Sequence, residues 1–410
     1  MTSLNTNSKD IDFVLNRGVE NIYPTSEAFK ALLLSGKKLR IYAGFDPSAN
    51  SLHIGNAIVL NKLSQFQKLG HQIIFLIGSF TGMIGDPTDK TAARIQLTRK
   101  EVLRNSRVFK KQASRYLKFS GSNPAILKYN HSWHDKLTFK DLVTLASNFT
   151  VQQMLERDMF QKRLSEEKPI YLHEFFYPLA QAYDSVFMNV DVEVGGNDQT
   201  FNMLCGRSLL KALKHKEKFV LTLKLLADPS GKKMGKTEGN IINLDVVPAD
   251  MYGQVMAWSD SLIISGFELC TNISDEELLE IKEKLAQGTN PKDLKKKLAF
   301  LITEINYGKK EAESAESRFE RLFGKKSYEL NLEESISLSD YAIITVGSEL
   351  KLIDLVLIAK PDMSKSFARR LIEQGGVSLG DVACKEWDKI YAYKAGDVLK
   401  IGKHDFWRIK

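Results

Sequence analysis

The feature that most constrains the fold is a strand–helix–strand pattern near the amino terminus. Residues 40–44 read as a short buried strand, and residues 53–69 carry apolar side chains at helical spacing. Gly70 follows, where a glycine commonly ends a helix, and residues 72–78 form an apolar run of strand length. Strand, helix and strand within about 40 residues make a βαβ unit, which predicts a parallel sheet.

Two further strand candidates extend this sheet. They span residues 186–194, which a glycine pair follows, and residues 219–225. With the βαβ unit they predict a doubly wound α/β domain over residues 1–240, interrupted by a helical insertion at 88–185.

The carboxy-terminal part has a different pattern. Residues 241–326 are rich in Lys, Glu, Leu and Ala and contain no good strand pattern, which predicts a helical domain. Residues 327–340 are polar, and we interpret them as a linker. Residues 341–410 predict a small α+β domain, with helices at 350–359 and 364–375 followed by short strands.

Composition limits the function classes. The 410 residues are 43% hydrophobic and 26% charged, an ordinary globular balance. The longest apolar run, residues 73–77, is too short to span a membrane, and residues 1–24 do not resemble a secretory signal. The cysteines, Cys205, Cys270 and Cys384, are far apart and fit neither a disulfide framework nor a zinc site. We therefore expect a cytoplasmic protein without a metal site.

The charge balance favours a polyanionic partner. Lys and Arg number 58 against 50 Asp and Glu, which gives a formal net charge of +8. Mild basicity of this kind is compatible with nucleic acid but does not identify it.

A candidate phosphate site follows the first strand. Residues 42–48 read Tyr-Ala-Gly-Phe-Asp-Pro-Ser, and His53 begins the sequence His-Ile-Gly-Asn at the predicted helix start. Helix amino termini present free N–H groups and a positive dipole end to anions. His53 can donate a hydrogen bond to phosphate, and Gly44 and Gly55 allow close approach of the backbone to a ligand. A purely structural histidine is the alternative.

A cationic motif lies about 180 residues later in the chain. Residues 231–237 read Gly-Lys-Lys-Met-Gly-Lys-Thr, which places three lysines and a hydroxyl on a glycine-rich loop. We interpret this motif as a phosphate clamp, with a simply solvated loop as the alternative. It is not a P-loop, because the spacing GxxxxGK[ST] is absent here.

Taken together, these motifs resemble the class I aminoacyl-tRNA synthetases and, more narrowly, the bacterial-type tyrosyl-tRNA synthetases. HIGN and KMGKT are similar to the HIGH and KMSKS signatures of the class. The other motifs shared with that family are YAGFDP from Tyr42, GDP at 85–87, YPLAQAYD at 177–184 and GGNDQ at 195–199. Residues 362–377 resemble the S-four RNA-binding domain that ends such enzymes, so the resemblance covers nearly the whole chain.

The resemblance implies a fold and an activity. The catalytic domain would be Rossmann-like, residues 241–326 would contact the anticodon stem, and residues 341–410 would form an S-four-like RNA-binding domain. The enzyme would activate L-tyrosine with ATP, accompanied by Mg²⁺, to tyrosyl-adenylate and pyrophosphate. It would then transfer the tyrosyl group to the 3′ end of tRNA(Tyr). A homodimer formed through helices around 138–160 is also implied.

The resemblance further implies a tyrosine slot. Its residues would be Tyr42, Asp86, Tyr177, Gln181, Asp184 and Gln199. Tyr42 and Asp184 would bond the phenolic hydroxyl, whereas Asp86, Tyr177 and Gln181 would meet the ammonium group. Gln199 would lie near the carboxylate. Tyr177, Gln181 and Asp184 are separated by four and three residues, so they share one helix face.

The implied nucleotide site occupies the other end of the slot. Its ATP-binding residues would be Gly44, Asp46, Ser48, His53, Gly55, Asn56, Gly196, Asp198, Met234 and Lys236. The catalytic groups, which would neutralise the pyrophosphate, would be His53, Lys233, Lys236 and Thr237. Two departures from the family pattern concern rate. Asn56 replaces the second histidine of HIGH, and Gly235 and Thr237 replace two serines of KMSKS.

The resemblance also implies that the carboxy-terminal tail binds tRNA. Its RNA-binding residues would be Lys365, Arg369, Arg370, Lys400 and Lys403. Residues 363–366 spell Met-Ser-Lys-Ser and imitate the KMSKS motif, but we expect them to open an amphipathic helix outside the catalytic half.

Two alternatives remain open from the sequence. A tryptophanyl-tRNA synthetase is disfavoured because Tyr42 with Asp184 suits a hydroxyl and because that family lacks the S-four tail. A catalytically inactive paralogue that binds structured RNA is disfavoured by the complete set of ammonium and phosphate ligands.

Overall fold

The computed structural model describes residues 4–86, 96–227, 241–323, 342–344, 350–361, 363–380, 382–394, 396–402 and 405–409. They belong to two compact units, residues 1–319 and 320–410. Residues 231–237, which carry the cationic motif, lie outside the described residues, as do the proposed linker residues 327–340.

A six-stranded sheet organises the first unit. Its strands are β1 (Val19–Tyr23), β2 (Arg40–Phe45), β3 (Gln72–Ile77), β4 (Ile126–Tyr129), β5 (Val192–Gly196) and β6 (Phe219–Leu223). The order is β1-β6-β5-β2-β3-β4, and all neighbours are parallel except β1, which pairs antiparallel with β6. The parallel α/β sheet is confirmed. Because β2 lies between β3 and β5, the chain crosses over in both directions from it, and ligands commonly bind at such a switch point.

Helices precede and follow the strands of this sheet. They are α1 (Ser8–Asn16), α2 (Ser26–Leu34), α3 (Ile54–Lys68), α4 (Thr81–Ile84), α5 (Arg99–Asn105), α6 (Phe109–Ala113), α7 (His131–His134), α8 (Phe139–Ala146), α9 (Val151–Leu155), α10 (Asp158–Ser165), α11 (Leu172–Met188) and α12 (Thr200–Lys214). The predicted βαβ unit is therefore β2, α3 and β3.

The two faces of the sheet belong to different apolar clusters. Ile41, Ala43 and Phe45 of β2 pack into the large core, whereas Tyr42 packs into a smaller cluster that includes Trp133. Successive side chains of a strand point to opposite faces, so the alternation places Tyr42 on the face opposite the large core. That smaller cluster also contains Met188, from the end of α11.

Two sequence predictions of strands need correction. Val186 was assigned to a strand, but it belongs to α11, and β5 begins only at Val192. The helix ends where Asn189 adopts a left-handed conformation with φ of 48°, which no apolar pattern reveals. In addition, β4 lies within the range predicted as a helical insertion and pairs with β3.

The remainder of the first unit is helical, as its composition predicts. Its helices are α13 (Pro248–Met256), α14 (Ile263–Cys270), α15 (Asp275–Ala286), α16 (Pro291–Tyr307) and α17 (Lys309–Phe323). Their apolar side chains belong to the same core as α3, so this segment and the sheet share one core within the unit.

The second unit combines two helices and a five-stranded sheet. The elements are β7 (Ala342–Ile344), α18 (Leu352–Ala359), α19 (Lys365–Glu373), β8 (Val377–Leu379), β9 (Val382–Cys384), β10 (Val398–Ile401) and β11 (Asp405–Ile409). The sheet order is β7-β11-β10-β8-β9. Ser364 caps α19 by accepting from the Phe367 amide, which confirms that Met363–Ser366 opens a helix.

A search of the described residues for a helix long and apolar enough to cross a membrane finds none.

Candidate active site

Tyr42 lies in the interior of the sheet, close to its switch point. On β2 it is level with Ile74 of β3 and Glu193 of β5, and only 1% of its surface is exposed. Its hydroxyl lies 2.9 Å from Ser185 Oγ of α11. Burial, together with the nearby charges of Glu193 and Asp184, raises the pKa of the Tyr42 phenol well above its ordinary value. The phenol therefore stays neutral and can donate a hydrogen bond.

Asp184 is held beside this phenol by three donors. Its Oδ1 accepts from Trp133 Nε1 at 2.8 Å and lies 2.7 Å from His134 Nε2, and its Oδ2 accepts from Asn130 Nδ2 at 3.1 Å. The side chain is 2% exposed, so its orientation is set by these contacts. The sequence motifs did not indicate Asn130, Trp133 or His134; the last two belong to α7, and Asn130 lies between β4 and α7.

A second carboxylate, that of the half-buried Asp46, links this region to the predicted ammonium site. Asp46 Oδ1 accepts from Thr81 Oγ1 at 2.6 Å, and Asp46 Oδ2 accepts from the Tyr177 hydroxyl at 2.8 Å. Asn130 also donates to Thr81, at 3.1 Å. A continuous chain of hydrogen bonds thus runs from Tyr177 through Asp46, Thr81 and Asn130 to Asp184.

Asp86 and Gln199, predicted for the ammonium and carboxylate of tyrosine, are in direct contact. Gln199 Nε2 donates to Asp86 Oδ2 at 2.7 Å, and Asn202 Nδ2 donates to Gln199 Oε1 at 3.0 Å. Arg157, which the sequence did not single out, brings Nη2 to 3.7 Å from Asp86 Oδ1. The pair therefore joins the end of β5 to the segment after α4.

Gln181 belongs to the same helix face as Tyr177 and Asp184. Its Nε2 donates to Glu193 Oε1 at 3.0 Å. Tyr177 contacts the loop after β2, Gln181 contacts β5, and Asp184 contacts α7 and the residue before it.

The histidine motif forms the start of α3. His53 is the N-cap residue, and its backbone N–H donates to Asn56 Oδ1 at 3.0 Å. The Asn56 side chain therefore helps to cap α3. The family signature has a histidine at this position, and its ring would have to accept that hydrogen bond instead. Ile54 donates to Ile242 O at 2.9 Å and Leu244 donates to Leu52 O at 2.8 Å, so the chain after residue 240 returns beside His53.

The predicted nucleotide residues of β2 and β5 lie at the carboxyl ends of adjacent strands. Gly44 is the second-last residue of β2, and Asp46 and Ser48 lie in the loop that follows. Gly196 is the last residue of β5. A Cβ on Gly196 would lie 2.5 Å from Asp198 Oδ1, so this position requires a glycine beside the carboxylate. Gly55, in the first turn of α3, similarly lies against the His53 ring.

The predicted RNA-binding residues are only partly described. Lys365, Arg369 and Arg370 are exposed on α19, and Lys400 belongs to β10. Arg369 lies over the Trp387 ring at 4.6 Å and donates to Glu373 at 2.8 Å. Arg369 thus has intramolecular partners. Lys403 lies outside the described residues, as do the phosphate-site residues Lys233, Met234, Lys236 and Thr237.

Within the described ranges, no group of three or more His, Cys, Asp or Glu side chains is arranged to hold a metal ion.

The pKa of Asp46 gives a testable pH dependence. Burial raises this pKa from 3.8 to about 7, against the opposing hydrogen bonds from Thr81 and Tyr177. Because the folded-state pKa is raised, the carboxyl contributes stability below about pH 4 that is lost as pH rises through about 7. The free energy of unfolding of the wild type relative to Asp46→Asn should fall by about 1.4 kcal/mol per pH unit in that window.

Chemical unfolding of both proteins between pH 4 and pH 8 measures this difference. Other titrating groups cancel because they are common to the two proteins. A difference that stays constant with pH would show that Asp46 is ionised throughout and that the hydrogen bonds, not burial, determine its pKa.

Comparisons with known proteins show the family to which the chain belongs. The family model of class I tRNA synthetases (W and Y) matches residues 34–324. The tyrosine–tRNA ligase 2 of Clostridium acetobutylicum is 40% identical over 395 residues, covering 95% of this chain and 96% of that protein. The tyrosine–tRNA ligase of Thermotoga maritima is 38% identical over 398 residues, with coverage of 97% and 96%.

Solved structures show the same fold. A C-terminally truncated mitochondrial tyrosyl-tRNA synthetase of Coccidioides posadasii matches with a TM-score of 0.63 and 26% identity, over 75% of this chain and 91% of that one. The Archaeoglobus fulgidus tyrosyl-tRNA synthetase complexed with L-tyrosine matches with a TM-score of 0.59 and 19% identity, over 76% and 100%. From its Rossmann-like sheet and its nearly full-length relatives, the chain belongs to the class I tRNA synthetase family of tryptophan and tyrosine enzymes, among the tyrosine–tRNA ligases.

Proposed function

We propose that this protein is an ATP-dependent tyrosine–tRNA ligase whose tyrosine slot ends at Tyr42 and Asp184. The observation that carries the proposal is the chain of hydrogen bonds from Tyr177 and Asp46 to Asp184. It brings residues from distant parts of the sequence together at the switch point of the sheet. Aromatic recognition, ammonium recognition and nucleotide binding can then occur in one continuous cleft.

The phenol end suits a hydroxyl group. Ionised Asp184 has about four acceptor positions, of which Trp133, His134 and Asn130 occupy three. One position remains for a substrate hydroxyl, and the neutral Tyr42 phenol provides a second partner. Phenylalanine would leave these buried groups without a partner, which costs free energy. A tryptophan substrate has no hydroxyl to engage both groups, so tyrosine is favoured.

The opposite end of the amino acid would meet carboxylate and amide groups. Asp86, Tyr177 and Gln181 would hold the substrate ammonium, and Gln199 would contact the carboxylate. The Gln181 amide nitrogen already donates to Glu193, so its carbonyl oxygen is the atom that can accept from an ammonium. Asp86 supplies the negative charge that the ammonium requires.

The nucleotide would lie along the carboxyl ends of β2 and β5. Asp198 would accept from the ribose hydroxyls, with Gly44, Gly196 and Gly55 allowing the backbone to approach. Asp46, Ser48 and Asn56 would border the phosphates, and His53 would donate to them from the start of α3. Helix amino termini favour phosphate in this way.

The cationic motif would complete the phosphate site. Ile242 lies beside Ile54, and the chain from Thr237 to Ile242 can span at most about 18 Å. On the resemblance of this motif to the family signature, Lys233, Met234, Lys236 and Thr237 would contact the phosphates. Lys233 and Lys236 would neutralise the pyrophosphate of MgATP, which enters as substrate.

The reaction requires positioning rather than an enzyme nucleophile. A carboxylate oxygen of tyrosine attacks the α-phosphorus of ATP in line, and the bond to the bridging oxygen of pyrophosphate breaks with its electron pair. The protein holds both reactants and stabilises the charge that develops on the leaving group. The terminal ribose hydroxyl of tRNA(Tyr) then attacks the adenylate carbonyl, and AMP leaves.

Tyrosine-dependent exchange of pyrophosphate into ATP tests the proposal. We expect exchange with tyrosine, much weaker exchange with phenylalanine and none that depends on tryptophan. Tryptophan-dependent exchange would assign the enzyme to the other amino acid. Absence of exchange in correctly folded protein would identify an inactive paralogue that binds RNA.

The carboxy-terminal unit is the proposed tRNA grip. Lys365 and Arg370 are exposed on α19 and can reach phosphates, together with Arg369, Lys400 and Lys403. The double variant Lys365→Glu/Arg370→Glu should raise the KM for tRNA by about 10-fold or more, because phosphate contacts dominate nucleic-acid affinity. ATP–pyrophosphate exchange should be unchanged and serves as the internal control. An equal loss in both assays would mean that this unit supports folding instead of tRNA binding.

We also propose a homodimer formed through the helices around 138–160. Large apolar side chains are exposed there and on the adjoining start of α11. Phe139 is 81% exposed, Val151 65% and Leu172 70%. Large apolar side chains exposed on these helices would be covered by a second copy of the chain. Sedimentation of the wild type should give the mass of two chains, and the Val151→Asp variant should give the mass of one chain. A monomeric wild type would contradict the proposal.

Domain limits and compartment complete the proposal. We place the catalytic domain at 1–240, the helical domain at 241–326 and the RNA-binding domain at 341–410. The three cysteines are buried and unpaired, which fits a reducing cytoplasm.

A further inference from the structure

A fully buried ion pair lies directly behind the proposed tyrosine slot. Lys218, which precedes β6, forms a salt bridge to Glu193 Oε2 of β5, and their side chains are 0% and 3% exposed. Removing two charges from water is costly, and a buried pair of this kind is often no more stable than apolar residues of the same size. Stability alone is therefore a weak reason for the pair.

The fold makes room for this lysine. Gly206 of α12 faces the pair, and a Cβ there would lie 2.5 Å from Lys218 Nζ and 2.9 Å from Ser185 Oγ. Any other residue would collide with the ammonium group. Glycine in a helix interior costs roughly 1 kcal/mol relative to alanine, and here it provides the space that Lys218 needs.

Both carboxylate oxygens of Glu193 are connected to proposed substrate ligands. Oε1 accepts from Gln181 Nε2 at 3.0 Å, and Oε2 accepts from Ser185 Oγ at 3.3 Å as well as from Lys218. Lys218 Nζ also donates to Ser185 Oγ at 2.9 Å, and Ser185 Oγ lies 2.9 Å from the Tyr42 hydroxyl. One hydrogen bond thus links the ion pair to Gln181, and two successive hydrogen bonds through Ser185 link it to Tyr42.

The direction of these hydrogen bonds has a consequence for the substrate. An ionised carboxylate only accepts, so Glu193 forces Gln181 to present its NH₂ group inward and its carbonyl oxygen to the cleft. A carbonyl oxygen can accept from an ammonium, whereas an NH₂ group would repel it.

We infer that Lys218 is a positioning residue for tyrosine recognition: by pairing with the Glu193 carboxylate, it fixes the amide orientation of Gln181. This inference rests on the proposed placement of tyrosine. Without the lysine, a lone buried Glu193 would take up a proton and become able to donate. Gln181 could then turn its carbonyl inward and lose its favourable interaction with the substrate ammonium.

The test compares Lys218→Met, Gly206→Ala and the double variant Lys218→Met/Glu193→Gln. The first two remove or displace the ammonium group, and we expect the Kd of tyrosine to rise by about 10-fold or more. The double variant removes both charges, yet its glutamine can accept from Gln181 and donate to Ser185. We expect it to recover affinity to within about 3-fold of wild type.

A substrate analogue separates positioning from general destabilisation. The loss should be several-fold smaller for 3-(4-hydroxyphenyl)propanoate, which lacks the ammonium group, and the KM for ATP should not change. Lys62→Met is the matched control, because Lys62 is another buried lysine and its Nζ donates to the backbone carbonyls of Val14 and Arg17. It should lower stability without changing the affinity for tyrosine.

The outcomes distinguish this inference from the proposed function. If Gln181→Ala leaves tyrosine affinity unchanged, the placement of the substrate ammonium is wrong. If Gln181→Ala weakens binding but Lys218→Met and Gly206→Ala do not, the positioning role of Lys218 is refuted. Equal losses for tyrosine and for the analogue without ammonium would likewise refute it.

Discussion

Replacing Asp184 by asparagine should lower the discrimination between tyrosine and phenylalanine by about 10-fold to 100-fold. A hydrogen bond to a charged group contributes about 1.5–3 kcal/mol, and this one is available to tyrosine alone. The neutral amide keeps the size of the side chain but removes the charge, so kcat/KM for tyrosine should fall while that for phenylalanine should not. ATP–pyrophosphate exchange with each amino acid measures the ratio.

A control on the same helix makes this result specific. Glu174 is also a buried carboxylate of α11, where it pairs with Arg163 at 2.7 Å. It lies ten residues from Asp184, about 15 Å along the helix. Glu174→Gln can lower stability but should leave the selection of tyrosine unchanged. If Asp184→Asn retains full discrimination, the phenol end of the slot has been assigned wrongly.

Replacing Lys236 by alanine should slow adenylate formation by about 100-fold to 1,000-fold. Negative charge grows on the pyrophosphate only as the bond to the α-phosphorus breaks, so a cation aimed at it acts mainly in the transition state. The Kd of tyrosine should change by less than about 2-fold, because tyrosine carries none of that charge. Single-turnover measurements separate these two quantities.

The neighbouring lysine offers the matched comparison. Lys232 precedes the part of the loop that resembles the family signature, and Lys232→Ala removes the same charge one residue earlier than Lys233. We expect it to slow adenylate formation only slightly. A rate for Lys236→Ala within 3-fold of wild type, or equal effects of both substitutions, would contradict the assignment of the cationic motif.

The strands and helices that position the site were predictable from the sequence where their buried residues form an apolar run or a helical spacing of apolar residues. β2, α3 and β3 are buried through most of their length, so apolar runs and helical spacing identify them. β1 and β4 are short and partly exposed, and their sequences lack such a run. The start of β5 was misplaced because apolar residues continue from the end of α11 into the turn.

The residues of the site were likewise predictable only in part. The residues of known motifs could be proposed because their spacing is specific, and two of them, Asp46 and Tyr177, are joined by a hydrogen bond. Residues that orient them, such as Asn130 and Trp133, belong to no motif and act only through tertiary contacts. Glu193 did leave a signal, since it interrupts an otherwise apolar buried strand; the sequence alone does not pair it with Lys218.

The most direct test of the central claim is a crystal structure with a non-reactive analogue of tyrosyl-adenylate. We expect the phenol oxygen within about 3 Å of both the Asp184 carboxylate and the Tyr42 hydroxyl, a normal hydrogen-bond distance. We expect the ammonium beside Asp86 and the Gln181 carbonyl, and the phosphate group facing the start of α3 at His53. A phenol group bound away from Asp184, or a phosphate out of reach of His53, would refute the proposed site.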